Sequence, residues 1–406
     1  MKIKLHYQIL IALILGIIAG LVGGETCVPW YEWMGQVFLR LLKMLVIPLI
    51  FSSVATGVAR TGGVRSAGKM GVATIIYYLC TSLLAILTGL MFVNIIKPGD
   101  GMDLGQAASA SVETGSFSLK EFIFRMVPEN PIRDAVGSGP DLSGNPNMLG
   151  IIFFAIIVGL ALNALKKEHC ERLTGLLDAV FHLMMKITGW VIRLAPFGVF
   201  ALMGSIVARL GISTLSSLAT YMVTVALGLG FHALISLCLI LFFLARRSPW
   251  HFFRAISPAL ATAFSTASSN AALPLTIENV TANAGVPKKV GSFVLPVGAT
   301  VNMDGTALYE CVAAVFIAQA MGVDLSFTDQ AVVVITALAA SVGAAGIPHA
   351  GLVMMAVVLS AVGLPLEGLG IILAVDSILD MMRTTVNVWS DSIGSAFVAR
   401  ITGESD

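Results

Sequence analysis

The 406-residue chain has little charge. Asp, Glu, Lys and Arg together make up 12% of the residues, whereas 57% are hydrophobic, and the mean hydropathy is +0.92. Such a composition leaves too little polar surface to cover a globule, which excludes a soluble protein of this length. The net charge of +1 provides no basic surface, so we expect no nucleic-acid partner. The chain is predicted to lie in a lipid bilayer.

Cysteine is scarce as well. The five cysteines are scattered along the chain, at Cys27, Cys80, Cys170, Cys238 and Cys311. Their positions lack the spacing of a metal or redox motif, so we interpret them as apolar filler.

Long apolar runs, in contrast, are abundant. A membrane-spanning helix needs about 20 mostly apolar residues. Six runs before residue 250 have that length, namely 8–24, 35–58, 70–97, 147–165, 177–207 and 217–245. The first follows a charged start like that of a signal peptide, but no small-x-small cleavage site comes after it. It is therefore predicted to be a retained span.

Lysine and arginine indicate how these runs cross the membrane. They occur in every second connection, at Lys2 and Lys4, at Arg60, Arg65 and Lys69, in "KKEHCER" (166–172) and in "ARRSPWHFFR" (245–254). An excess of these residues is typical of cytoplasmic loops. We therefore expect a cytoplasmic amino terminus, and at least part of the Gly-, Ser- and Pro-rich segment 98–146 outside.

Two later segments break this rhythm. Residues 255–289 and 331–364 each contain a small-residue tip that ends in proline, "SSNAALP" and "GAAGIP", and each precedes a polar-studded helix, 290–318 or 369–399. Two interrupted half-spans in corresponding positions indicate a midplane binding site between inverted repeats. The predicted fold is an all-α polytopic membrane protein with eight transmembrane helices and two re-entrant helical hairpins. The alternative is that both segments are kinked ordinary spans.

The last predicted helix carries a polar stripe. In "DSILDMMRTTVNVWSD", polar side chains recur in steps of three, four or one, at Asp376, Asp380, Arg383, Thr384, Asn387 and Asp391. This spacing places them on one face of a helix. Charges at bilayer depth normally face a cavity and mark a substrate or ion pathway. An alternative is a buried ion pair between Asp380 and Arg383, which would leave two aspartates unexplained.

The preceding helix adds oxygen ligands. In "GATVNMDGTALYE" (298–310), Asn302 and Asp304 lie among small residues. Hard cations such as Na⁺ are bound by carboxylate, amide and carbonyl oxygens, which these residues could provide together with Asn387 and Asp391. Close helix packing would explain the Gly and Thr residues, but not Asp304.

These motifs resemble those of the glutamate transporter family, the dicarboxylate/amino acid:cation symporters. The resemblance covers essentially the whole chain and rests on "NMDGT", on "DMMRTTVNV" with Asp391, on the serine-rich first tip and on "GIPHAG". It implies a homotrimer in the plasma or inner membrane with both termini cytoplasmic, and Na⁺-coupled symport of L-aspartate or L-glutamate rather than an enzymatic activity. It also implies a scaffold made from 1–69 and most of 98–216, and a transport part made from 70–97 and 217–406 that slides across the bilayer like an elevator.

The resemblance further assigns individual residues. Substrate contacts are expected from Asp380, Arg383, Thr384, Asn387, Ser268, Ser269, Thr306, Ile347 and Gly351. Three sodium sites are expected, one from Gly298, Asn302, Asn387 and Asp391, a second from Thr300, Met303 and Ser341, and a third from Tyr78, Thr81, Ser82, Asn302 and Asp304. Asp380 matches the position that holds the substrate amine, and Arg383 the position that pairs with its side-chain carboxylate.

The chemistry of the last pair agrees with an acidic amino acid. An arginine binds a carboxylate with two parallel hydrogen bonds, which a lysine does less well. Asp380, one turn away, offers the opposite charge to an ammonium group. A simple dicarboxylate would be repelled by Asp380, and a neutral substrate would leave Arg383 buried without a partner.

Three departures from the pattern of many family members concern four positions. Ala267 and Met381 stand where others carry a further arginine, which leaves coupling to a counter-transported cation open. His349 stands where others have glycine or glutamine, and is interpreted as structural or as a titratable group of the second tip. Glu310 matches the glutamate of proton-cotransporting relatives, so it is a candidate proton site or a structural residue.

Other functions remain to be distinguished. Within the family, the alternatives are a proton-coupled symporter, a neutral amino acid symporter and an anion-conducting channel. An intramembrane aspartic protease would need two aspartates that share a proton, each inside its own short signature. Neither Asp304 nor Asp380 has such a context.

Overall fold

The computed structural model describes residues 5–66, 68–102, 127–136, 147–211, 213–343, 350–365 and 368–404. All the secondary-structure elements assigned in these ranges are helices, which confirms the all-α class there. The helices are α1 (Leu5–Gly23), α2 (Val28–Ser66), α3 (Lys69–Ile96), α4 (Pro131–Val136), α5 (Met148–Ala164), α6 (Lys167–Ile192), α7 (Ala195–Leu210), α8 (Ser213–Phe231), α9 (Pro249–Thr266), α10 (Ser269–Glu278), α11 (Lys288–Val301), α12 (Asp304–Ala320), α13 (Phe327–Gly343), α14 (Ala350–Ala361) and α15 (Leu369–Thr402). A 3₁₀ turn, Gly24–Cys27, connects α1 to α2, and π-helical turns extend α8 (His232–Ser236, Ile240–Leu244) and α10 (Asn279–Asn283).

Several helices are suited to a membrane. Among the described residues, four helical stretches are long and apolar enough to cross one, Lys69–Ile96, Lys167–Ile192, Leu215–Leu244 and Lys288–Ala320. Large apolar side chains are exposed on the outside, for example Ile76 on α3 and Phe243 at the end of α8. An apolar exterior around a charged interior is the reverse of a soluble globule and suits a lipid environment. The chain is a multi-pass membrane protein.

The helices pack in two groups. In the first group, α1 packs on α7, and α2 packs on α5, α6 and α7. In the second group, α3 packs on α8, α12 and α15, while α9 and α11 also pack on α15. The groups meet where α2 contacts α13 and α14, and where α7 contacts α15.

The predicted single span 177–207 is wrong. The structure has two helices there, because α6 ends at Ile192 and α7 begins at Ala195, with a turn between them. Pro196 explains the break, since its ring would clash with the carbonyl of Ile192 in a continuous helix, whereas proline is well tolerated in the first turn of a new one. The predicted span 35–58 is also shorter than α2, which has 39 residues.

The two interrupted segments form helix pairs. The first pair is α9 and α10, which pack on each other on either side of Ala267, whose backbone is left-handed (φ 47°). Arg247 fastens the far end of this hairpin by donating to the carbonyls of Ala284 and Gly285, the latter at 2.8 Å. The second pair is α13 and α14, and its tip, 344–349, lies outside the described residues.

The helix 290–318 predicted between the hairpins is interrupted. It consists of α11 and α12, and residues 302 and 303 between them are not helical. Its apolar core is buried entirely inside the protein. Backbone without helical hydrogen bonds is tolerated at this depth only where protein or water satisfies it. The break therefore places Asn302 and Asp304 in the middle of the molecule, beside α15.

Candidate functional site

The polar stripe of α15 is buried. Asp376, Asp380, Arg383, Asn387 and Asp391 are each at most 3% exposed. The helices α11 and α12 cover the stripe from one side, and α9 and α10 pack on the same helix. The prediction that these charged groups face the interior is confirmed.

Arg383 lies between two carboxylates. Its Nη1 donates to Asp376 Oδ1 at 3.0 Å, and its Nε donates to Asp380 Oδ1 at 2.9 Å. The guanidinium stacks on the ring of Tyr309, with Cζ 4.3 Å from the ring centroid, and the Tyr309 hydroxyl donates to Asp376 Oδ1 at 2.8 Å. We refer to these four residues as the Arg383 cluster. Asp376 and Tyr309 hold one side of the arginine, and Asp380 holds the other.

One nitrogen of the guanidinium remains available. Arg383 Nη2 lies 2.8 Å from Asp380 Oδ1, but neither of its hydrogens points at that oxygen, and it has no hydrogen-bond acceptor among the described residues. Gly351 at the start of α14 covers the same group, since a methyl group there would lie 2.8 Å from Arg383 Cζ. A residue larger than glycine would displace the arginine or the hairpin.

The ion pair between Asp380 and Arg383, which was the alternative explanation of the polar stripe, is therefore present, but it is not isolated. Asp376 takes part in it, and Asp391 lies elsewhere, with Asn302. Because Asp376 also compensates Arg383, the arginine does not depend on Asp380 alone for a carboxylate partner. The sequence analysis assigned no role to Asp376 or Tyr309. Asp376 was visible in the stripe, whereas nothing in the sequence places Tyr309 on the guanidinium.

The other expected substrate residues lie nearby or outside the described residues. Ser268 and Ser269 are buried at the start of α10, and the Ser268 hydroxyl caps that helix by accepting from the Ala271 amide at 3.2 Å. Thr306 accepts from Asn387 Nδ2 at 3.2 Å. Thr384 is buried on α15. Ile347 and His349 lie outside the described residues.

A second buried cluster surrounds Asp304. Its Oδ1 accepts from the Ser82 hydroxyl at 2.6 Å. Its Oδ2 accepts from the Ser390 hydroxyl at 2.6 Å and lies 3.4 Å from His232 Nε2. We refer to Ser82, His232, Asp304 and Ser390 as the Asp304 cluster. The sequence analysis missed His232 and Ser390, although a lone histidine in a long apolar run is a signal that could have been used.

Asn302 connects this cluster to Asp391. Its Nδ2 donates to Asp391 Oδ1 at 2.8 Å and contacts Ser390 Oγ at 3.0 Å. Its Oδ1 lies 3.5 Å from Thr81 Oγ1, a long hydrogen bond. Tyr78 donates to the carbonyl of Val294 at 2.8 Å.

The structure thus brings together the residues of the third expected sodium site, Tyr78, Thr81, Ser82, Asn302 and Asp304, and the sodium site itself stays a prediction. Gly298 completes this region, because a side chain there would collide with Asp391 Oδ1 and the Tyr78 hydroxyl. A close approach of the backbone at this position therefore needs glycine.

The structure brings the residues of the other two expected sodium sites together less fully. Asn387 accepts from the Gly305 amide at 2.7 Å and directs its Nδ2 to Thr306 and to Met303 Sδ. Thr300 and Ser341 donate to carbonyls one turn back in their own helices. These hydrogen bonds do not connect the residues of the second site.

Glu310 is fully buried on α12, directly after Tyr309. Neither of its carboxyl oxygens has a hydrogen-bond partner among the described residues. An unpaired carboxylate in such surroundings has a large desolvation cost.

The oxygen ligands available in this region suit a hard monovalent cation. The region between α3, α12 and α15 offers hydroxyl, amide and carboxylate oxygens, which are the ligands that hard cations prefer. Among the residues the structure describes, no group of three or more His, Cys, Asp or Glu could hold a metal ion. Hydroxyl, amide and carboxylate oxygens are ligands of hard cations, whereas imidazole and thiolate ligands suit transition metals.

Comparison with known proteins identifies the family. The model of the Sodium:dicarboxylate symporter family matches residues 5–401. The chain is 35% identical to a proton/glutamate-aspartate symporter of Escherichia coli over 98% of its own length and 93% of the relative's. It is 35% identical to a proton/sodium-glutamate symport protein of Geobacillus stearothermophilus, over 99% and 96% respectively. It is 36% identical to the human excitatory amino acid transporter 3, over 96% and 84%.

These matches confirm the resemblance inferred from the motifs around Asp304 and Arg383. The relatives are symporters and transporters, not enzymes. The chain belongs to the Sodium:dicarboxylate symporter family.

Proposed function

We propose that this protein is a secondary active transporter that carries an acidic amino acid, L-aspartate or L-glutamate, together with Na⁺. The observation that carries the proposal is the Arg383 cluster. It presents an open guanidinium donor beside a carboxylate that can bind an ammonium group. The side-chain carboxylate of the substrate binds Arg383, and its amine binds Asp380. The names of the relatives, which include glutamate and aspartate symporters, support the same substrate class.

Na⁺ coupling is supported by the Asp304 cluster and by its connection to Asp391. The two buried carboxylates balance the charge of one or more monovalent cations at low dielectric. The neutral hydroxyl and amide oxygens supply further ligands. Without a cation, the carboxylates would depend on hydrogen bonds alone. The proposed assignment of Tyr78, Thr81, Ser82, Asn302 and Asp304 to one sodium site agrees with their proximity. The sites that include Thr300, Met303 and Ser341, or Asn387 and Gly298, remain expectations from the resemblance.

We further propose that the protein works by an elevator-like movement in a homotrimer. The two packing groups of helices support a division into a scaffold, residues 1–69 and most of 98–216, and a transport part, residues 70–97 and 217–406. Eight spans, two re-entrant hairpins, cytoplasmic termini and a location in the plasma or inner membrane belong to the same proposal. Crosslinking of purified protein would test the trimer.

Binding and transport assays test the function. Purified protein should bind L-aspartate or L-glutamate in Na⁺ but not in choline, and L-serine should bind much more weakly. Proteoliposomes should accumulate the labelled amino acid when an inward Na⁺ gradient is imposed. Saturable counterflow of labelled substrate separates a transporter from an anion channel, because a channel exchanges without saturating. Uptake driven equally well by a pH gradient in choline medium would contradict Na⁺ coupling.

A proton-coupled symporter is the second candidate. It is favoured by Glu310, whose buried carboxyl lacks a hydrogen-bond partner among the described residues, and by the name of the Escherichia coli relative. A proton bound there would remove the cost of a buried unpaired charge. Both couplings can coexist if Na⁺ and H⁺ bind at separate places.

A further inference from the structure

We infer that His232 is a positioning residue for the cation site at Asp304. This inference rests on the proposed Na⁺ coupling. His232 is fully buried on the sixth predicted span and lies against the carboxylate that would bind the cation. None of the residues assigned from the sequence includes it.

The hydrogen bonds around Asp304 define the role of the imidazole. Ser82 donates to one carboxylate oxygen, and Ser390 donates to the other. His232 Nε2 approaches the second oxygen at 3.4 Å, and His232 Nδ1 has no partner among the described residues. A lone pair on Nε2 would face the lone pairs of the carboxylate, so the tautomer that fits has its hydrogen on Nε2. The imidazole therefore donates a hydrogen bond from Nε2 to Asp304.

A local change in the helix aims this side chain. The helix α8 switches to a π-helical turn over His232–Ser236, in which the amide of Leu237 donates to the carbonyl of His232. In a regular α-helix that amide would bond to the carbonyl of Ala233. The carbonyl of Ala233 instead accepts from Trp389 Nε1 at 3.0 Å and from Cys238 Sγ at 3.4 Å. Such turns are frequently found at functional sites.

The π turn thus connects α8 to the part of α15 that donates a hydrogen bond to Asp304. Trp389 precedes Ser390, so the residue fastened to the π turn is adjacent to the residue that donates to Asp304. The turn sets the position of His232 and of Ser390 on the same carboxylate oxygen. With one oxygen held from both sides, the remaining lone pairs of the carboxylate have a fixed direction toward the cation.

The expected consequence concerns cation affinity. Residues that orient a metal ligand without touching the metal typically account for about 10- to 100-fold in affinity. Removing the His232 donor should therefore raise the apparent Kd for Na⁺ by about tenfold or more. The packing of α8 is expected to persist when the volume of the side chain is kept.

The experiment compares variants of the full-length protein in lipid nanodiscs. His232→Leu removes the donor, and His232→Gln retains an amide donor at about the reach of Nε2. His232→Asn carries its donor closer to the backbone. Thr224→Val is the matched control, because Thr224 is buried two turns earlier on α8 and its hydroxyl donates only to Thr220 of its own helix. The readouts are the Na⁺ dependence of the melting temperature without substrate, and the melting temperature in choline.

The inference predicts that His232→Leu and His232→Asn weaken the response to Na⁺, while His232→Gln and Thr224→Val stay close to the unmodified protein. The melting temperatures in choline should be similar for all variants. If His232→Leu does not fold, the comparison of His232→Gln with His232→Asn shows whether a donor at the position of Nε2 is needed. An unchanged Na⁺ response in His232→Leu would overturn the inference, as would an equal weakening in Gln and Asn. If the unmodified protein itself does not respond to Na⁺, the proposed Na⁺ coupling fails, and the inference falls with it.

Discussion

Replacing Arg383 tests the substrate assignment most sharply. Its guanidinium is buried, contacts two carboxylates and stacks on Tyr309. Arg383→Cys removes the partner of the substrate side chain. We expect loss of acidic amino acid binding and weak binding of small neutral amino acids such as L-serine.

The size of the effect follows from the burial. Truncating one partner of a buried, hydrogen-bonded charge pair costs on the order of 2–5 kcal/mol. At 1.4 kcal/mol per tenfold change, this corresponds to an increase in the Kd of L-aspartate of about 30-fold to a few thousandfold. Part of the cost arises because Asp376 and Asp380 then lie close together without a cation.

A double variant separates these contributions. Arg383→Cys combined with Asp376→Asn removes one negative charge along with the positive charge. The affinities for L-aspartate, L-glutamate and L-serine are measured by isothermal titration calorimetry at saturating Na⁺. If Arg383 binds the substrate carboxylate, the double variant should remain unable to bind L-aspartate, and its affinity for L-serine should be retained or improved.

Two results would refute this reasoning. An L-aspartate affinity of Arg383→Cys equal to that of the unmodified protein would show that the carboxylate binds elsewhere. Recovery of L-aspartate binding in the double variant would show that the single replacement acts only through the unbalanced charge. Arg383→Lys provides the conservative comparison, because lysine keeps the charge but lacks the planar fork.

Three further changes probe the surroundings of the arginine. Asp376→Asn should lower the affinity for L-aspartate at least about tenfold, because Asp380 must then compensate Arg383 alone; an unchanged affinity in calorimetry would show that Asp376 is dispensable. Gly351→Ala should weaken binding as well, since the new methyl group would contact the guanidinium at 2.8 Å from Cζ, and equal affinities in the two proteins would show that α14 moves aside. Glu310→Gln should leave Na⁺-dependent exchange intact while flattening the pH dependence of net uptake between about pH 5.5 and 8. Uptake by the unmodified protein that is independent of pH over this range would make Glu310 structural.

The sequence predicts the helices because each depends on local pattern. Apolar runs, charged connections and proline-containing tips locate α1, α3, α5, α8 and the two hairpins to within a few residues. The break between α6 and α7 was missed, because the apolar run continues through Pro196 and length alone suggested one span. The extra turns of α2 are more polar than its middle, and a hydrophobicity criterion does not detect them.

The candidate site is predictable only where its residues share one helix. The stripe from Asp376 to Asp391 follows from helical spacing, so its burial could be anticipated. The partners of that stripe and of Asp304 come from α3, α8 and α12, and no local pattern shows that Tyr309 stacks on Arg383 or that His232 faces Asp304. Such contacts depend on how separate helices pack. The open alternative of an isolated Asp380–Arg383 pair could not be decided from spacing, because Asp376 is also on the same face.

Net uptake into proteoliposomes under separately imposed gradients tests the central claim most directly. The amino acid is radiolabelled L-aspartate, and the conditions are an inward Na⁺ gradient at equal pH, and an inward proton gradient in choline. Asp304→Asn is measured in parallel, because it removes the carboxylate of the Asp304 cluster without changing its size. We predict accumulation of L-aspartate with the Na⁺ gradient, little or none in choline, and a loss of Na⁺-driven accumulation in Asp304→Asn. Accumulation in choline equal to that in Na⁺, or unchanged Na⁺-driven uptake in Asp304→Asn, would contradict Na⁺-coupled symport through this site.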